Sequence, residues 1–96
     1  MKVNAIKCKS CNTIIYSRAT HDFHWCPCGK CAVDGGLEYF KIAGNREDWE
    51  VIDFSVLDNV PVEEAKNILY DDWNFNKNKF GTKVLSPEND EAFNNE

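Results

Sequence analysis

The stretch His21-Asp22-Phe23-His24-Trp25-Cys26-Pro27-Cys28-Gly29-Lys30-Cys31-Ala32-Val33-Asp34-Gly35-Gly36 carries three cysteines and two histidines. A second thiol pair, Cys8-Lys9-Ser10-Cys11, lies upstream. Two cysteines separated by two residues form a tight turn whose backbone N–H groups point back at the sulfurs. Two such turns facing each other make a tetrahedral four-sulfur site, the usual closed structural zinc site. Fourteen residues separate Cys11 from Cys26, which is room for two strands and a turn. That layout predicts a zinc ribbon with Zn2+ as a structural cofactor.

The second turn has two readings. Cys28-Gly29-Lys30-Cys31 has the ordinary two-residue gap. Cys26-Pro27-Cys28-Gly29 is one residue shorter, but it places Pro and Gly as ribbon turns do, and Gly29 relaxes the backbone past the second sulfur. Spacing alone leaves both open. His24 is a further reserve ligand, in place of one sulfur. A redox thiol pair fits less well, because the βαβ context of such sites is missing.

Composition agrees with a stapled domain. Ninety-six residues make one small domain with little stability to spare, so a metal or disulfide is expected. Five cysteines would leave one thiol over in a disulfide framework. No apolar run approaches a membrane span, and Met1-Lys2-Val3-Asn4 does not open a signal peptide. The expected location is therefore a reducing cytoplasm, where clustered cysteines bind metal. Residues 1–33 carry five Lys/Arg against one acid, and residues 34–96 carry six against fifteen. The acidic second half argues against general nucleic-acid affinity and suits a basic protein surface.

Outward from the thiols, residues 3–7 and Thr13 to Ser17 read as strands, as does Phe23 to Cys26. Cys31 to Asp34 and Leu37 to Ile42 read as a hairpin turned by Gly35-Gly36, although the second half also fits a short helix. Trp49 to Val56 reads as another strand. Residues 61–72 form the clearest helix: Pro61 opens it, Glu63 and Glu64 suit its first turn, and Val62, Ala65, Ile68 and Leu69 share a face. The expected class is small α+β: a zinc-ribbon antiparallel sheet extended by one strand and one C-terminal helix. Its parts would be a ribbon module over 1–45, an extension over 46–85 and an acidic flexible tail over 86–96.

The string His21-Asp22-Phe23, Trp25-Cys26, Cys28-Gly29, Val33-Asp34-Gly35-Gly36 and Tyr39, after Cys8-x-x-Cys11, resembles a family of small uncharacterised bacteriophage proteins. Their pattern is CxxC followed by HDF, WCxCG and VDGG, and the likeness covers about residues 6–45. The resemblance implies Cys8, Cys11, Cys26 and Cys28 as metal ligands. Cys31 has no counterpart in it, which leaves Cys31 as a reserve. The resemblance brings no established activity.

His21, Asp22 and Asp34 are candidate binding residues, but as turn residues they also have plain structural roles. A four-thiolate zinc keeps no open position for water activation. No nucleophile elbow or phosphate loop appears. Trp73, Phe75 and Phe80 lie in a polar, breaker-rich stretch and form a candidate recognition element. The expected function is a non-enzymatic module of phage origin that binds and inhibits a host protein, a defence or transcription component, in the host cytoplasm. Two alternatives stand beside it. One is a nucleic-acid-binding ribbon using Lys2, Lys7, Lys9, Arg18 and Lys30. The other is a small-nucleotide binder or hydrolase using His21, Asp22 and Asp34.

Overall fold

In the computed structural model, which describes residues 1–84, seven strands and one helix make three layers. The expected tail over 86–96 lies outside the described residues. The middle layer is a four-stranded antiparallel sheet of β1 (Lys2–Cys8), β2 (Thr13–Tyr16), β6 (Trp49–Ser55) and β7 (Thr82–Val84), in the order β6-β1-β2-β7. A smaller sheet holds β3 (His24–Trp25), β4 (Cys31–Asp34) and β5 (Lys41–Gly44), with β4 central. The helix, α1, spans Val62–Asn74.

Side-chain alternation explains the layering. Successive residues of a strand face opposite sides of a sheet. Val3 and Ala5 of β1, Ile14 and Tyr16 of β2, and Ile52 and Phe54 of β6 form one core cluster with Leu69 of α1. Ile6, Cys8 and Ile15 form a second cluster with Cys26, Cys31 and Val33. The register matches this division, with Ala5 opposite Tyr16 and Ile52, and Ile6 opposite Ile15 and Val51. One face of the middle sheet thus carries the helix, and the other carries the smaller sheet and the sulfurs. β1 pairs with β6 along all seven residues, so the chain beyond residue 48 completes the sheet that the N-terminal strand begins.

Two expectations need correction. Leu37 to Phe40 is not strand. Backbone N–H groups of Glu38 and Tyr39 both reach the Gly35 carbonyl, at 3.1 and 3.2 Å, and wind the chain into a turn. β5 starts only at Lys41, opposite Asp34. Gly36 sits at φ +57°, and a Cβ there would lie 2.6 Å from the Ala19 carbonyl carbon, so this glycine allows two backbones to meet. The extension also contributes two strands rather than one. β7 is the addition, paired with β2 at Thr13–Ile15. Trp25 and Tyr39 are both exposed.

A buried ion network fixes the helix against the turn before β3. Arg18 clamps Asp22 through Nε at 2.7 Å and Nη2 at 3.1 Å, and its Nη1 donates to Asp72 of α1 at 2.7 Å. All three side chains are under a tenth exposed. Asp72 also accepts the backbone N–H groups of Lys79 and Phe80, which holds the segment leading into β7. Burial alone would raise both aspartate pKa values. For Asp22, hydrogen bonds from His24 and Arg18 outweigh it, and for Asp72, those from Arg18 and the two backbone N–H groups do. Both carboxyls therefore titrate below their usual range.

Removing the guanidinium leaves two buried carboxylates uncompensated, so Arg18→Ala is expected to cost about 3–5 kcal/mol. Because both folded-state pKa values are depressed, their stabilisation is complete above the unfolded value of about 4 and is lost as pH falls below it. Denaturant midpoints measured from about pH 5 to 2 should fall less steeply for Asp72→Asn than for the wild type. Equal slopes would contradict the network's role.

Candidate metal centre and adjoining groove

The first thiol turn follows β1. The Cys11 N–H points at the Cys8 sulfur at 3.5 Å, and Asn12 closes the turn in the left-handed region at φ +57°. The second turn follows β3. The Gly29 N–H reaches the Cys26 carbonyl at 2.9 Å, with Gly29 at φ +77°. β1, β3 and β4 bring the two turns together at one end of the layered sheets.

The sulfurs of Cys8, Cys11, Cys26 and Cys28 all lie within 4.8 Å of one another. Cys28 is 3.5 Å from Cys8 and 3.3 Å from Cys26. A tetrahedron with metal–sulfur bonds of about 2.3 Å has sulfur–sulfur edges of about 3.8 Å. The two Cys28 contacts are a few tenths of an ångström shorter than that and no pair exceeds 4.8 Å, so the four thiols fit one metal ion after small adjustments. They are the one group with such spacing among the described residues.

The electrostatics point the same way. Burial disfavours the Cys26 thiolate, but backbone N–H groups of Cys31 and Lys30 and the Cys28 thiol bring its pKa down to about 6. At Cys28, the Lys30 N–H favours the thiolate, yet the sulfurs of Cys26, Cys8 and Cys11 prevail and push it up to about 12. Burial and the Cys26 sulfur push Cys31 up as well. One thiolate therefore suppresses its neighbours, and a cation is what allows four to coexist.

The remaining candidates have other surroundings. Cys31 is fully buried, with its sulfur 3.7 Å from that of Cys26. His24 is not part of the four-sulfur group. Its Nδ1 is 3.1 Å from Asp22 and its Nε2 is 3.0 Å from the Gly81 carbonyl, which ties β3 to the approach to β7. Asp22 is enclosed in the ion network and also accepts the Arg18 backbone N–H. The Asp34 carboxylate accepts the Gly35 N–H at 2.8 Å.

His21 lines an open groove of about 600 Å³ between the turn after β2, the turn at Leu37 and Glu38, and the Lys66–Tyr70–Trp73 face of α1. Its ring lies 6.5 Å from that of Trp73, and Trp73 meets Tyr70 edge-on at 5.5 Å. Tyr70 is half exposed. Phe75 is exposed beyond the helix end, whereas Phe80 folds back onto the helix-side core. Asp72 and Tyr70 were not singled out by the sequence, and Arg18 was offered only as one of five basic residues for nucleic acid. The i, i+3 spacing of Tyr70 and Trp73 was the available signal for the aromatic wall.

Residues 1–44 match a family described as Domain of unknown function (DUF7695). The match ends with the last residue of β5 and includes all five cysteines. No curated protein and no solved structure matches the chain. No helix among the described residues is long and apolar enough to cross a membrane.

Metal binding to this centre must displace thiol protons. Affinity measured by competition with a chromophoric chelator should rise steeply with pH, because each ion bound displaces several thiol protons. An affinity indifferent to pH would mean that the thiolates are not the ligands.

Proposed function

We propose that this chain is a zinc-stapled, non-enzymatic protein-binding module. Four thiolates held between two sheets suit Zn2+, which has no redox chemistry and accepts a tetrahedral sulfur set. Such a set is closed and leaves no position for substrate, which supports a structural rather than catalytic ion. The zinc-ribbon reading of the first 45 residues rests on the two thiol turns and the short strands between them.

The observation that carries the binding role is the groove. His21, Tyr70 and Trp73 wall it with aromatic rings, and Leu37 faces it with an apolar side chain. Aromatic side chains of this kind supply most of the energy at protein interfaces. Exposed acids elsewhere on α1 (Glu63, Glu64 and Asp71) complement a basic partner surface. The resemblance to small bacteriophage proteins makes that partner a host protein, a defence or transcription component, inhibited in the host cytoplasm.

The other two readings have less support. Arg18, one of the five basic residues offered for nucleic acid, is enclosed between two aspartates. Asp22 and Asp34 have backbone and ion-pair partners and do not line the groove beside His21.

Tyr70→Ala and His21→Ala should weaken the complex with the host partner by about ten- to thirty-fold while leaving the thermal midpoint near the wild-type value. Titration calorimetry on the co-purified partner would measure it. Unchanged affinity in both variants, or the lack of any stable protein complex, would contradict the proposal.

A further inference from the structure

Five thiols surround a centre that needs four. The fifth belongs to the same cluster. The Cys31 sulfur touches that of Cys26 at 3.7 Å from the buried start of β4, and the Cys8 thiol also faces it. Cys28 contacts the same two sulfurs, Cys26 at 3.3 Å and Cys8 at 3.5 Å, from an exposed loop. Cys8 and Cys26 therefore have two additional sulfur neighbours, one exposed and one enclosed. Space is open beside the loop carrying Cys28: a Cβ at Gly29 would meet nothing within 4 Å. Cys31 lies outside the tight group of four, so its recruitment requires the ion to move inward toward β4.

We propose that the centre is two overlapping zinc sites: Cys8, Cys11 and Cys26 are shared ligands, and Cys28 and Cys31 are alternative fourth ligands. This inference rests on the zinc reading above. With Cys28 bound, the ion sits toward the loop. When Cys28 is lost or covalently capped, the ion settles against β4 and keeps a four-sulfur shell. Both spacings in the sequence are then ligand-competent, the short Cys26-x-Cys28 turn and the buried Cys31 behind it. The exposed thiol is the one an electrophile reaches first, and its loss does not release the metal.

The test is zinc content and zinc-edge X-ray absorption on wild type, Cys28→Ser, Cys31→Ser and the double variant. The single variants should each hold one zinc per chain with four sulfurs. Their affinities should lie within about ten-fold of wild type, and the double variant should bind at least about a hundred-fold more weakly. A folded Cys28→Ser protein whose zinc shows three sulfurs and one oxygen, or that binds no better than the double variant, overturns the inference. If Cys28→Ser does not fold, zinc-loaded wild type is treated with iodoacetamide. The Cys28 sulfur displaces iodide and forms a thioether. Zinc retained after that modification supports the inference, and stoichiometric release overturns it. Wild type without zinc would instead sink the metal reading itself.

Discussion

The contact between the two sheets is made largely of sulfur. Of the six buried residues in that core, three are cysteines beside Ile6, Ile15 and Val33, and Cys11, Phe40, Ile42 and Trp49 pack against them. Strands of two and four residues cannot stabilise a sheet by backbone pairing alone. Apolar packing holds β3, β4 and β5 against β1 and β2, and an ion bound by the four grouped thiols, as proposed, would add thiolate–metal bonds to it. Structural zinc contributes about 10 kcal/mol or more in small domains, which is comparable to the whole net stability expected here. The smaller sheet rests on the middle sheet through that contact.

A second constraint acts on the opposite side of the molecule. Arg18 links the turn before β3 to the helix and, through Asp72, to the segment entering β7. His24 adds a bond from β3 to the Gly81 carbonyl. The groove lies beside this network, with His21 from the turn that Arg18 clamps and Tyr70 and Trp73 from the helix it clamps. Its walls are thus set by rigid elements, which favours binding with little ordering cost.

The sequence made much of this legible through local signals. The Cys8 turn announced itself by spacing, Cys26 and Cys28 were singled out by the resemblance, and the helix was marked by Pro61 with Ala65 and Leu69 on one face. Gly29 and Gly36 have the positive φ values their turns required. What was not legible arose from long-range pairing. Asp72 looks like an ordinary surface acid until Arg18, fifty-four residues away, is placed beside it. β7 has three exposed residues with no inward face, so it exists only because β2 offers an edge. Leu37 to Phe40 carries strand-forming residues, but the Gly35 carbonyl captures two N–H groups and turns the chain before a strand can start. Spacing could not choose between Cys28 and Cys31 because both approach the same sulfurs.

The most direct test of this account is thermal unfolding of the reduced protein before and after chelation, with zinc content measured on the same samples. The account predicts one zinc per chain as purified, and a large drop in the midpoint or loss of the cooperative transition once the zinc is removed. A protein that unfolds at the same temperature with and without zinc, or that folds cooperatively without having held any, would show that the sheets are joined by something other than the thiol centre.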